Sequence, residues 1–145
     1  RGNGWAALAA TEILAALAPA DPRREQVRSR LERQLEGLSV VQDVSGLWHT
    51  VVTRPDFYLE SSGSAAIAAA ILRAVDAGWV AASLRPVGLQ AARAVDALVA
   101  ADGTLTRVST GTGVAPTLET YNLIPFDQIK LYGQGLYLIM AAAWR

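Results

Sequence analysis

An alanine-rich segment that occurs twice, each time behind a glycine, is the feature that most limits how this chain can fold. Residues 4–10 read Gly-Trp-Ala-Ala-Leu-Ala-Ala, and residues 63–69 read Gly-Ser-Ala-Ala-Ile-Ala-Ala. Residues 133–136, Gly-Gln-Gly-Leu, open a third copy. Each unit is predicted to be a glycine-rich loop, an alanine-rich helix and an amphipathic return helix. Repeats of this length indicate stacked helical hairpins, arranged as an open α-solenoid or a closed α/α toroid.

The pattern predicts an all-α fold of about five helices, at residues 4–17, 22–42, 64–77, 84–101 and 133 to the C-terminus. Asp21 is the expected N-cap of the second helix, with Pro22 in its first turn. The first, third and fifth helices are apolar on nearly every side, so we expect them to lie inside. The second and fourth carry a charged face, so we expect them to lie outside.

Two long segments are predicted as loops, residues 43–62 and residues 104–126, the second with short strand pairing. In a toroid, the three glycine-rich loops would open at the same end of the molecule. The residues that this arrangement brings to one mouth are Arg1, Trp5, Glu60, Ser61, Ser64, Tyr132 and Gln134.

Composition removes several classes of function. The net charge is zero and no basic stripe is present, so we predict no nucleic-acid partner. The longest apolar runs, residues 65–72 and 136–144, are far shorter than the roughly 20 residues that span a bilayer, so we predict no membrane partner. One histidine without any cysteine argues against a metal site. Residues 110–113 lack the Lys-Ser/Thr ending of a phosphate-binding loop, and we predict no cofactor.

The predicted mouth has the chemistry of a site for an acidic sugar. Helix N-termini present free N–H groups, and Arg1 adds a guanidinium that can grip a carboxylate with two hydrogen bonds. Trp5, Trp48 and Tyr58 offer flat apolar faces that suit sugar rings, although aromatic residues also pack in cores.

His49 and the serines at residues 61–64 each allow two interpretations. His49 could hydrogen-bond a ligand or transfer a proton, or it could anchor its loop. The serine hydroxyls are expected to cap the third helix, and Ser61 and Ser64 could also contact a ligand. Nothing in the sequence pairs two carboxylates as a glycosidase acid and base would be paired.

Six short motifs follow one another along the chain. They begin at residues 1 (Arg-Gly-Asn-Gly-Trp), 45 (Ser-Gly-Leu-Trp-His), 54 (Arg-Pro-Asp), 58 (Tyr-Leu-Glu-Ser-Ser-Gly-Ser-Ala), 111 (Gly-Thr-Gly-Val) and 132 (Tyr-Gly-Gln-Gly). In this order they resemble the C-terminal half of the unsaturated rhamnogalacturonyl hydrolases, glycoside hydrolase family 105, which are related to the family 88 unsaturated glucuronyl hydrolases. The resemblance covers essentially the whole chain.

The resemblance implies an (α/α)6 barrel and an oligosaccharide substrate that ends in a 4,5-unsaturated uronic acid, as pectin lyases leave behind. It implies hydration of the sugar's double bond, with an aspartate as general acid and base. By the family pattern, Arg1 and Trp5 would hold the uronate, and Ser61 and Ser64 would contact substrate. His49 and Tyr132 would line the mouth.

The family's catalytic aspartate lies before the Arg-Gly-Asn-Gly-Trp motif, and no residue of this chain corresponds to it. We therefore expect residues to be missing on the N-terminal side, assign no catalytic residue, and expect an incomplete toroid that is inactive alone. The flanks of the first and fifth helices would be exposed. Self-association or the missing N-terminal half would cover them.

Two other functions remain open at this point. A non-catalytic helical-repeat module could bind a carbohydrate or protein partner along its loops. Another α/α-toroid enzyme, such as a polysaccharide lyase or a sugar epimerase, is also compatible with the repeat, although a single histidine argues against the epimerase.

Overall fold

The computed structural model describes residues 1–144, which form a helical molecule with one very short β-hairpin. The long helices are α1 (Gly2–Ala16), α2 (Arg24–Val40), α3 (Ser61–Asp76), α4 (Arg85–Asp96) and α6 (Leu131–Trp144). A short helix, α5 (Leu118–Asn122), and a 3₁₀ turn, Ala82–Leu84, complete the helical elements. The hairpin pairs β1 (Trp48–His49) with β2 (Leu59–Glu60) in antiparallel register, Trp48 opposite Glu60.

Helix α3 is the centre of the molecule. Every residue from 61 to 72 is buried, and α1, α4 and α6 all pack against it. Its small alanine side chains let these neighbours approach closely on several sides. Helix α2 packs on α1, as expected for an outer helix, and α3 has the predicted inner position. The described residues do not separate α1 and α6 from α4 in this way, because all three helices pack on α3.

Helices α1 and α6 bury only one face each. Trp5 and Ile13 of α1 are about half exposed, while Leu131 and Leu138 of α6 are 91% and 59% exposed. Exposed flanks on these two helices were predicted from the sequence, and the structure confirms them.

Several predicted boundaries were wrong for local reasons. Helix α2 begins at Arg24 because the Asp21 carboxylate accepts hydrogen bonds from the backbone and guanidinium of Arg23, in the turn before the helix. Helix α4 ends at Asp96, because Val99 pairs with Leu105 across a turn in which Gly103 has a positive φ.

The two predicted loops also contain unexpected elements. The hairpin lies within residues 43–62, and α5 lies within residues 104–126. The strand pairing expected in the second segment is limited to isolated bridges. The fifth predicted helix is α6, which begins two residues before Gly133, and its predicted last residue, Arg145, lies outside the described residues.

The repeated glycines lie in the first turns of helices, as the predicted starts at residues 4 and 133 imply, whereas Gly63 was predicted to precede its helix and lies inside it. A Cβ atom on Gly4 would lie 2.6 Å from the Cβ of Ala66, and one on Gly133 would lie 2.7 Å from Val108 Cγ2. Each glycine therefore marks a place where another segment comes too close to tolerate a side chain. The repeat encodes close packing at the helix starts.

A matched pair of α6 variants tests this role. Gly133→Ala should destabilise the fold by about 1–3 kcal/mol, because the new methyl group overlaps Val108. Gly135→Ala adds a methyl group with no atom within 4 Å, and should stabilise the helix by about 0.5–1 kcal/mol. Urea unfolding of both variants measures the difference, and equal shifts in the same direction would contradict the close-approach interpretation.

Within residues 1–144, no helix combines the length and apolarity that crossing a bilayer requires. No cluster of three or more His, Asp or Glu side chains in the same range has the arrangement of a metal site.

Candidate functional site

The N-terminal ends of α1, α3 and α6 meet at one end of the molecule. The guanidinium of Arg1, the N-cap of α1, lies 4.5 Å above the ring of Tyr132 in α6. A Cβ on Gly63, in the first turn of α3, would lie 3.1 Å from Arg1 Cα. Three elements distant in sequence therefore present their first turns to one place.

Arg1 is half-buried, and the hydrogen bonds of its guanidinium all go to neutral acceptors. One terminal nitrogen donates to the carbonyl and hydroxyl oxygens of Ser109, at 3.0 and 3.1 Å. The other donates to Thr110 O at 2.9 Å and to Thr112 Oγ1 at 3.4 Å. No carboxylate within residues 1–144 forms an ion pair with this guanidinium. Its positive charge is fixed in place and is not neutralised, a combination that suits an anionic ligand.

A cleft of about 320 Å³, here called the Arg1 cleft, opens beside this guanidinium. Its walls carry several hydroxyl groups, which can donate to and accept from the hydroxyls of a sugar. The lining residues are Arg1, Gly2, Thr50, Ser109, Thr112, Gly113, Val114 and Tyr121.

Glu60 is the buried carboxylate behind the cleft. It is 2% exposed and caps α3, accepting hydrogen bonds from the backbone of Ser62 and Gly63 and from the Ser62 hydroxyl. The backbone N–H of Ser109 donates a fourth bond to it, at 3.1 Å. The helix cap expected from serine hydroxyls is instead formed by the Glu60 side chain, because Glu60 occupies the N-cap position and the serines lie inside α3.

Ser61 and Ser64 are buried and already hydrogen-bonded within the chain. The Ser61 hydroxyl donates to Thr106 O at 2.7 Å. The Ser64 hydroxyl donates to Glu60 O at 2.7 Å and accepts from the backbone N–H of Trp48 at 2.9 Å. Both hydroxyls fasten neighbouring segments to the start of α3, and a ligand contact by either remains a prediction.

Trp48 lies in the core, where its ring cannot stack on a sugar. It is 2% exposed, and its indole N–H donates to Leu38 O at 2.8 Å. Trp5 differs: it is 47% exposed and lies one helical turn from Arg1, since its backbone N–H donates to Arg1 O. Of the two tryptophans, Trp5 alone has an exposed ring, although it is not part of the lining of the Arg1 cleft.

His49 anchors the hairpin from within. Its Nδ1 lies 2.5 Å from Phe57 O, so this nitrogen carries the proton, because a carbonyl oxygen can only accept. Its Nε2 faces the Asp43 carboxylate at 3.5 Å. Hydrogen bonds from Ser45 lower the pKa of Asp43, with a smaller contribution from His49. The loop-anchoring role considered for His49 is the one that these contacts favour.

Tyr58 stacks on Phe126, with ring centroids 4.3 Å apart, and directs its hydroxyl into the protein. Burial raises the pKa of Tyr58, and the facing side chains of Thr50 and Ser109 partly offset this effect. Because Thr50 and Ser109 also line the Arg1 cleft, Tyr58 lies directly behind its wall.

The predicted site residues are thus distributed around one region. Arg1, Trp48, His49 and Ser64 line a single small cavity, and Tyr132 donates its hydroxyl to Ser109 O under Arg1. Sequence reasoning missed Ser109, Thr110 and Thr112 as partners of Arg1. Thr112 belongs to one of the six motifs and all three lie in a Thr- and Gly-rich segment, but neither signal reveals where the segment goes.

Comparisons with known proteins agree with this architecture. The family model described as Glycosyl Hydrolase Family 88 matches residues 1–144. The unsaturated rhamnogalacturonyl hydrolase YesR of Bacillus subtilis is 40% identical over 144 residues, which cover 98% of this chain and 40% of YesR. The predicted resemblance is confirmed.

Solved crystal structures of similar proteins have the same fold as this chain. A possible member of the GH105 family from Salmonella enterica is 31% identical and superposes with a TM-score of 0.93. Another from Klebsiella pneumoniae is 32% identical, also with a TM-score of 0.93. The match covers 99% of this chain and 38% of each of these proteins, so the predicted toroid architecture is confirmed for the portion that the chain represents.

Proposed function

Because this chain belongs to glycosyl hydrolase family 88, we propose that it supplies the uronate-recognising part of a glycosidase. The substrate is an oligosaccharide from pectin or rhamnogalacturonan that ends in a 4,5-unsaturated uronic acid. YesR, of which the chain spans 40%, is named as an unsaturated rhamnogalacturonyl hydrolase, and this name supports the proposed substrate class.

The uncompensated guanidinium of Arg1 is the observation that carries the proposal. Its position is set by four hydrogen bonds to neutral acceptors, so an arriving carboxylate does not have to displace a competing carboxylate. The contact with Thr112 Oγ1, at 3.4 Å, is the longest of the four and is the one that a carboxylate oxygen most easily replaces. An ionic hydrogen bond of this kind contributes about 1.5–3 kcal/mol.

Trp5 and the hydroxyl groups of the Arg1 cleft complete the recognition of a sugar. The exposed indole of Trp5 can cover one face of the uronate ring, while Thr50, Thr112 and Tyr121 can hydrogen-bond ring hydroxyls. The cleft, at about 320 Å³, has room for a monosaccharide unit.

In the proposed reaction, one water molecule adds across the double bond of the unsaturated uronate. A general acid protonates one carbon of the double bond, and water attacks the other carbon while giving a proton back to the conjugate base. The resulting hemiketal opens, and the second sugar leaves. Glu60 is not suited to donate that proton, since it is buried and already accepts four hydrogen bonds. We therefore assign binding and orientation to this chain and the acid to a residue outside these 145 residues.

Separating binding from turnover tests the proposal. The isolated chain should bind the unsaturated disaccharide, measured by calorimetry, and should not consume its double bond, measured by ultraviolet absorbance. Adding the separately expressed N-terminal portion of YesR should restore consumption. Steady turnover by the chain alone would contradict the assignment of the acid, and absence of binding would contradict the proposed recognition.

A further inference from the structure

Glu60 contacts two parts of the chain that are distant in sequence. Three of its hydrogen bonds come from Ser62 and Gly63, at the start of its own helix. The fourth comes from the backbone N–H of Ser109, 49 residues away. The bonds from Ser62 and Gly63 are sufficient to cap the helix. The bond from Ser109 is not part of the cap and ties a distant segment to Glu60.

Ser109 is also the main partner of Arg1. Its carbonyl and hydroxyl oxygens accept from one terminal nitrogen of the guanidinium, and the same carbonyl accepts from the Tyr132 hydroxyl. The residue is 1% exposed, so protein surrounds it on all sides. A continuous path of hydrogen bonds therefore runs from Glu60 through Ser109 to Arg1.

The backbone just before Ser109 is held in a restricted conformation. Arg107 has a φ of 59°, which is uncommon for a residue with a side chain. The start of α3 fastens this stretch twice, through Ser61 N to Arg107 O at 3.3 Å and the Ser61 hydroxyl to Thr106 O. An unfavourable backbone conformation persists where the surroundings determine it, as they do here.

From these contacts we infer that Glu60 is a positioning residue: through Ser109 it holds the Arg1 guanidinium in the orientation that receives the substrate carboxylate. The inference rests on the function proposed above. A long arginine side chain that is ordered before binding loses less rotamer freedom when the ligand arrives. Glu60 thereby contributes to affinity for the acidic group without contacting it.

Glu60→Asp separates this role from helix capping. Aspartate is a strong N-cap residue, so the α3 amides keep an acceptor. Its side chain is shorter by one carbon–carbon bond, about 1.5 Å, so it withdraws from the Ser109 amide. The variant should melt close to the unmodified chain. Its affinity for the unsaturated disaccharide should fall by up to about tenfold, the value of one side chain that is no longer pre-ordered.

The methyl ester of the same disaccharide is the matched ligand, because it keeps the sugar and removes the negative charge. A general loss of structure would weaken both ligands, whereas a positioning role predicts that affinity for the ester stays the same in Glu60→Asp. Calorimetric titration of both ligands gives the ratio of affinities. An unchanged acid-to-ester ratio in Glu60→Asp would overturn the inference.

A double-mutant cycle tests whether Glu60 acts through Arg1. In the Arg1→Ala background, Glu60→Asp should change affinity less than twofold, since the group that it positions is gone. Equal losses in both backgrounds would contradict the inference. Failure of the proposed function gives a different result, in which the unmodified chain itself does not prefer the acid to the ester.

Ser109→Ala provides a second measurement that leaves the α3 cap intact. It keeps the amide that Glu60 holds and removes one of the two Ser109 oxygens that accept from the guanidinium. Affinity for the acid should fall by about threefold, less than in Glu60→Asp, with ester binding unchanged. We expect the variant to unfold cooperatively, as the unmodified chain does. If its affinity for the acid equals that of the unmodified chain, the hydrogen-bond path from Glu60 through Ser109 to Arg1 does not position the guanidinium.

Discussion

Replacing Arg1 with alanine should weaken binding of the unsaturated disaccharide by about 10- to 100-fold, which corresponds to the 1.5–3 kcal/mol of an ionic hydrogen bond. Arg1 has the only charged side chain in the lining of the Arg1 cleft, so no neighbouring side chain in that lining can substitute for it. Calorimetric titration with the acid gives the size of the loss.

Two controls identify the cause of that loss. Binding of the methyl ester should change little in Arg1→Ala, because the ester offers no negative charge. Arg1→Lys should recover only part of the affinity, since an ammonium group keeps the charge but cannot bond to Ser109 and a carboxylate in the forked geometry of arginine. Equal losses for acid and ester in Arg1→Ala would mean that Arg1 acts through packing alone.

Trp48→Ala should be among the most destabilising single substitutions in this chain, with an expected cost of about 3–5 kcal/mol. The change empties a space in the core between the end of α2 and the start of α3. It also leaves Leu38 O without the indole donor. Chemical denaturation measures this cost, and we expect a large fall in the denaturant midpoint.

Trp5→Ala is the matched variant, which we expect to change stability little and to weaken ligand binding. Because 47% of Trp5 is exposed, the substitution should cost about 1 kcal/mol of stability or less. Affinity for the disaccharide should fall about tenfold, since the exposed apolar face proposed to cover the uronate ring is lost. If Trp48→Ala kept full stability, or if Trp5→Ala kept full affinity, the roles assigned to the two tryptophans would be reversed or absent.

The arrangement of the helices could be predicted because it depends on pattern alone. Alanine on every face of residues 65–70 leaves no polar side for solvent, so this helix has to be inside. The glycines were harder to interpret, because a glycine at a helix start looks the same in sequence as one in a loop. Only the distance from Gly133 to Val108 reveals that close packing requires it.

The candidate site could be predicted only in part. The convergence of Arg1 and Tyr132 followed from aligning the helix starts of the repeat. The partners of Arg1 did not, because Ser109, Thr110 and Thr112 lie on irregular backbone whose path is set by long-range bonds from Glu60 and Ser61. Trp48 was predicted to stack on a sugar ring, because the sequence alone does not show whether an aromatic side chain in a loop is buried or exposed. The class of substrate came from the resemblance to a known family and from no single residue.

An NMR titration of the unmodified chain with the unsaturated disaccharide tests the uronate site most directly. The Arg1 side-chain N–H signal and the backbone amides of Ser109 and Thr112 should shift together and reach saturation. The signals of Thr11 and Trp79, which line a different cleft, should stay in place. Saturable shifts at Thr11 and Trp79 without any at Arg1 and Ser109 would contradict an acidic-sugar site at the helix starts.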